Sequence, residues 1–290
     1  MKPPLPAVLA LLLFAVPAAA DFQVKVYNVV EGSRPHDAAV SPDGIAWYTA
    51  QAQGALGRLD PKTGAVRQIT LGENSAPHGV IVAPDGALWI TDGGQNAIVR
   101  VDAKTERITK YPLPKDRGYA NLNTATFDEL GGHWFTGQNG IYGKVDPKTG
   151  EVRVWDAPKG RGPYGIATTP SGEVWFSSLA GNYIARIDIA TGELEVVESP
   201  TPGAGARRVW SDSQNRLWVS LWNSGEVGLY DPASKQWKKW KLPGENPRCY
   251  SVYVDETDAV WLTDFGSDSI VRFDPKTESF RSFPGAGVRQ

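Results

Sequence analysis

The chain has 290 residues, 41% of them hydrophobic, and a formal charge of -2, enough for one or two domains with a sizeable core. Lys and Arg are scattered among acidic residues with no basic run, which excludes the electrostatic footprint of a nucleic-acid or anionic-membrane binder. A lone cysteine, Cys249, excludes an intramolecular disulfide, so stability rests on packing.

The first twenty residues, "MKPPLPAVLALLLFAVPAAA", have one early lysine, a continuous apolar stretch and small residues before Asp21. That is the layout of a cleaved secretory signal, too short and wrongly flanked for a membrane span. The mature protein is therefore expected to begin near Asp21, to be periplasmic or secreted, and to form a single domain over 21–290. Next, "DFQVKVYNV" at 21–29 reads as an extra fourth strand ahead of the first repeat.

From there the chain repeats. A tryptophan recurs at Trp47, Trp89, Trp134, Trp175, Trp218 and Trp261, at spacings of about 43 residues. Each unit offers an apolar strand ("HGVIVA"), a turn ("PDG"), the tryptophan strand ("ALWITD"), a polar loop ("GGQN"), a third strand ("AIVRVD"), a turn and a fourth strand. Short alternating runs bounded by Gly, Pro, Asn and Asp, with no helical period, predict four antiparallel strands per unit. The fold is thus expected to be all-β, a β-propeller of six four-stranded blades, with a seventh degenerate blade as the alternative. The repeat tryptophans are assigned to the core between blades.

Counting eleven residues back from each tryptophan reaches the start of each first strand: His36, His78, Asn123, Tyr164, Arg207 and Tyr250. First strands line a propeller's channel, so these six are expected to ring one mouth. Three residues after each tryptophan, at the adjoining end of the second strand, stand Ala50, Asp92, Gly137, Ser178, Leu221 and Asp264. The two rings bring imidazoles, carboxylates, phenols and a guanidinium to one face. Trp222, Trp210 and Phe265 lie outside the core register and are candidates for stacking on a ligand. His133, inside a strand beside Trp134, reads as a packing or surface residue.

Units such as "GPYGIATTPSGEVWFSSLAGNYIARID" and "APHGVIVAPDGALWITDGGQNAIVRVD" resemble the virginiamycin B lyase (streptogramin B lyase) family of β-propellers, through all six units. The resemblance implies elimination that opens the macrocyclic ester of a depsipeptide, with Mg²⁺ and histidines at the mouth. The family's histidines follow prolines at the starts of neighbouring first strands, and Pro35-His36 and Pro77-His78 match those steps. By that resemblance one histidine takes the proton next to the ester and the other helps hold the metal; His78 is nominated as the general base with His36 as its catalytic partner, and His78 and Asp92 as the candidate metal ligands. Ala76 stands where the family pattern has a glutamate, with Asp92 or Asp37 as possible substitutes; the paired units open the chain rather than close it, and the family's propeller has seven blades.

The function expected is therefore an exported, metal-assisted carbon-oxygen lyase acting on a cyclic ester or lactone. Tyr164, Arg207, Tyr250, Asn123 and Trp222 are its candidate substrate-binding residues. A monomer is expected, with no nucleic-acid or membrane partner. Two alternatives are a lactonase-type hydrolase, which needs acidic or amide ligands such as Asp92, Asp264 and Asn123, and a non-enzymatic propeller presenting its mouth to a protein or carbohydrate.

Overall fold

The computed structural model describes residues 24–285; the leader-like residues 1–20 and the start of the 21–29 segment lie outside them. Six four-stranded antiparallel sheets follow one another, each with its strands in sequence order. The sheets form the blades of a β-propeller. First strands are Pro35–Val40, Pro77–Val82, Leu122–Phe127, Pro163–Thr168, Ala206–Ser211 and Cys249–Val254. The matching second strands are Ala46–Ala50, Leu88–Asp92, His133–Gly137, Val174–Ser178, Leu217–Leu221 and Val260–Asp264.

Apolar residues of consecutive blades interleave into shared cores. Leu56 and Ile69 of blade 1 pack with Leu88 and Val99 of blade 2, and Trp218 of blade 5 packs with Val252 and Phe273 of blade 6. Trp47, Trp89, Trp134, Trp175 and Trp218 are buried as expected of a residue that fills the space between blades. His133 is fully buried between Trp89, at 4.8 Å between ring centroids, and Phe127, at 5.2 Å.

Where a second strand is entered, an aspartate fixes both the turn and the tryptophan. The Asp128 carboxylate accepts from the backbone N–H groups of Leu130 and Gly132 and from Trp134 Nε1 at 2.8 Å, and it pairs with Lys144 Nζ at 2.8 Å. Asp212 and Asp255 take Trp218 and Trp261 in the same way. Removing a buried carboxylate strands all its donors, so Asp128→Ala is expected to lower unfolding free energy by about 3 kcal/mol in urea titration. An unchanged midpoint would show that the turn is held by other means.

Blade 6 meets blade 1 differently. The other seams each have a shared core, but the cluster on this face of blade 1, Tyr48, Ala50, Ala55 and Leu59, is joined instead by Tyr27 and Val29. Tyr27 also donates its hydroxyl to the Pro61 carbonyl at 2.8 Å. Residues 24–29 are thus not the strand expected from their pattern. Every blade, including the last with Ser279–Pro284, already has four strands, so the segment has no sheet to complete and covers blade 1 instead.

Candidate active site

In all six blades the first residue of the first strand pairs with the last residue of the second: Pro35 with Ala50, Pro77 with Asp92, Leu122 with Gly137, Pro163 with Ser178, Ala206 with Leu221 and Cys249 with Asp264. Immediately afterwards the register slips by one residue. The extra residue is a β-bulge, a device that re-aims a side chain. The bulges hold His36, His78, Asn123, Tyr164, Arg207 and Tyr250. Proline at positions 35, 77 and 163 suits a strand's first residue, where a missing N–H costs no ladder bond.

A row of hydroxyls locks the bulges in place, a feature the sequence reading passed over. Thr49 donates to the carbonyl of His78 at 2.9 Å, Thr91 to that of Asn123, Thr136 to that of Tyr164, Ser177 to that of Arg207 at 2.7 Å and Ser220 to that of Tyr250 at 3.0 Å. Each stands two residues after a repeat tryptophan, which is the signal that could have found them. In blade 6 the equivalent Thr263 bonds Ser251 of its own blade, at 2.8 Å. Close approach also explains Gly79: a Cβ there would lie 2.6 Å from the Asn123 carbonyl oxygen.

The six bulge side chains converge. The rings of His36 and His78 lie 3.8 Å apart between centroids. His78 Nδ1 lies 3.2 Å from the Asn123 carbonyl, so it carries the proton, and Nε2 accepts from Asn123 Nδ2 at 3.2 Å. His36 Nδ1 has no hydrogen-bond partner among the described residues, and its Nε2 lies 3.4 Å from the Tyr250 hydroxyl. Tyr250 in turn meets the Tyr164 hydroxyl at 3.3 Å, and Arg207 Nη2 donates to Tyr164. With Arg207 as donor at one end, the phenols relay hydrogen bonds toward His36 Nε2 as acceptor.

Burial lowers the pKa of His36, and nearby Arg208 and Arg207 lower it further, against the opposing pull of Asp37. His78 is held well below the ordinary imidazole value, first by burial and then by His36, Arg208 and Arg207. Both rings are neutral near pH 7. Burial pushes the Tyr164 phenol up to about 12, so it stays a hydroxyl.

Asp92 and Asp264 do not join this group as metal ligands. Asp92 accepts from Ser75 Oγ at 2.5 Å and from the N–H groups of Ala76 and Gln95 at 2.9 and 3.1 Å. Asp264 does the same for Arg248, Gly266 and Ser267. Asp37 faces Arg208, 3.4 Å away. Among the described residues no three His, Cys, Asp or Glu converge on a cation position. A small hard ion needs oxygen ligands, whereas this mouth offers imidazoles beside two guanidiniums, so the residues present do not fit Mg²⁺.

Trp222 and Phe265 do stand at the mouth. Phe265 stacks on Tyr250 at 4.4 Å with 6° between planes, and Trp222 sets its edge to both rings at 5.9 and 5.7 Å. Trp210 does not: it pairs with Trp218 farther along its strand and packs on Tyr253.

The sequence model of the virginiamycin B lyase family matches residues 17–273. Among solved structures, virginiamycin B lyase from Staphylococcus aureus is 22% identical, covers 89% of this chain and 86% of its own, and superposes with a TM-score of 0.82. A streptogramin B lyase structure is 24% identical over 90% of this chain and 87% of its own, with a TM-score of 0.83. A catalytically inactive variant of the staphylococcal enzyme with quinupristin gives 22% identity, 89% and 86% coverage and a TM-score of 0.82. At such identities the likeness is one of fold. No curated protein sequence matches the chain.

Proposed function

The chain belongs to the virginiamycin B lyase family, and from that membership and the geometry of the mouth we propose that it is a carbon-oxygen lyase that opens a cyclic ester by elimination. The observation that carries the reading is the pair of neutral imidazoles 3.8 Å apart, with one basic nitrogen left for a substrate. Both nitrogens of His78 are engaged by Asn123, whereas His36 Nε2 has only a long contact to Tyr250. His36 is therefore the general base and His78 its buried support, the reverse of the nomination made from the sequence.

The reaction needs a proton removed from the carbon next to a carbonyl. His36 Nε2 takes it, and the C–H electron pair becomes the new C=C bond as the neighbouring carbon's bond to the ester oxygen breaks, its electron pair staying on that oxygen as a carboxylate. His78 and Asn123 hold the neighbouring ring in place, and Trp222 with Phe265 offers an apolar surface to a bulky ring. The leader-like residues 1–20 support an exported enzyme, periplasmic or secreted.

Elimination within a ring leaves the mass unchanged, whereas hydrolysis adds a water. Incubation of the purified protein with quinupristin, followed by mass spectrometry, is expected to give an open-chain product of the parent mass; a product heavier by one water would replace this reading with a hydrolase. Chelation with EDTA is expected to leave turnover unchanged, because the mouth lacks a hard-ligand set. Loss of activity on chelation, restored by Mg²⁺, would contradict that.

A further inference from the structure

Arg207 has no counter-charge among the described residues, although it sits in a crowded place. Its guanidinium carbon lies 3.8 Å from the ring centroid of Tyr250, 4.3 Å from Tyr164 and 4.7 Å from Trp222. The rings occupy its faces, the surfaces that aromatic groups attract. Its edge is only partly used: Nη2 donates to Tyr164, while Nε is buried without a partner. The nearby Asp37 serves Arg208 instead, and Arg208 Nε is likewise buried and unpartnered.

Buried polar groups are normally satisfied, so these vacant donors at one mouth point to a ligand. Its charge follows from the surroundings. Both imidazoles are neutral, Asp37 balances Arg208, and Arg248 adds another cation 5.8 Å from Trp222. The Asp92 and Asp264 carboxylates at the strand ends are taken up by loop donors, and Arg207 is left without an ion-pair partner among the described residues. Phe265 is 62% exposed and stacked on Tyr250, the ring that lies against Arg207, an open apolar platform at the same mouth.

We propose that Arg207 binds the carboxylate of a ligand whose aromatic or other planar apolar part rests on Phe265 and Trp222. A guanidinium edge matches a carboxylate through paired N–H···O bonds, which a lysine cannot reproduce. The catalytic use of this contact rests on the lyase reading. When His36 takes the α-proton and the C=C bond forms, the electron pair of the broken C–O bond stays on the ester oxygen. The leaving group is then a carboxylate, produced without water, oxidant or reductant, and Arg207 receives it. The proton on His36 passes to solvent when the product departs.

Calorimetric titration of the mature protein with phenylacetate, phenylacetamide and acetate tests the assignment. Phenylacetate is expected to bind at least about tenfold more tightly than its neutral amide, and Arg207→Gln is expected to abolish that preference. Arg207→Lys, which keeps the charge without the fork, is expected to restore it only in part. Phe265→Ala changes an exposed ring and is expected to weaken phenylacetate but not acetate, which keeps the proposal testable if an Arg207 variant fails to fold. Equal binding of acid and amide, or phenylacetate affinity unchanged in Arg207→Gln, overturns the assignment. The two readings separate in the parent protein itself: carboxylate binding without turnover would sink the lyase and spare Arg207, and turnover without acid preference the reverse.

Discussion

His36→Ala is expected to reduce ester elimination by roughly 10² to 10⁴, the usual worth of a positioned general base, with little change in thermal stability. The side chain is only partly buried, and its one hydrogen-bonding contact among the described residues is a long approach to Tyr250. Truncation therefore removes the base without stranding a network. His78→Ala should differ in kind. That ring is buried and its two nitrogens bond the backbone and the side chain of Asn123, so its loss lowers stability together with activity. Steady-state rates and melting curves on the two variants separate these outcomes. Should His78→Ala lose activity at full stability while His36→Ala stays active, the roles of the two rings are reversed.

A second large effect lies far from the mouth. His133 is completely buried, neither ring nitrogen has a hydrogen-bond partner, and burial pushes its pKa down to about 3. The unfolded chain binds a proton on this residue near its ordinary value of 6.5, whereas the folded protein refuses it until about pH 3. The unfolded state thus binds more protons between those values. Stability contributed by the neutral ring is complete above pH 6.5 and is lost as the pH falls toward 3, by roughly 5 kcal/mol in all. His133→Leu keeps the apolar contacts to Trp89 and Phe127 and removes the titration. Urea unfolding at pH 7 and at pH 4 is expected to show the parent protein losing more stability than the variant. An equal loss in both would show that His133 does not drive the acid sensitivity.

Much of the architecture was legible because it is periodic. Tryptophans about 43 residues apart set the blade count, and one offset from them reached six side chains that all occupy bulges in the structure. The same offset placed Asp92 at the end of a second strand, where it stands, but spacing alone could not reveal that its oxygens are taken by Ser75, Ala76 and Gln95 of the adjoining loops. Nor could it tell His36 from His78. Their sequence contexts are nearly the same, and the difference comes from the next blade, where Asn123 engages both nitrogens of His78. Arg207 beside Arg208 was similarly ambiguous until Asp37 proved to face only the second.

Residues 24–29 show a different limit. Alternating apolar residues mark a segment with one face to bury, and Tyr27 and Val29 do bury theirs. Alternation alone does not decide whether such a segment joins a sheet: here each blade draws four strands from its own repeat, and the segment packs on blade 1 instead.

The claim that the mouth performs elimination is tested most directly by the fate of the substrate's α-hydrogen. With a cyclic ester deuterated at the carbon adjacent to the one that bears the ester's alkyl oxygen and turned over in ¹⁸O-labelled water, the account predicts slowed turnover, loss of the deuterium to solvent, and an unsaturated product free of ¹⁸O. Retention of deuterium with ¹⁸O in the product carboxylate would contradict it.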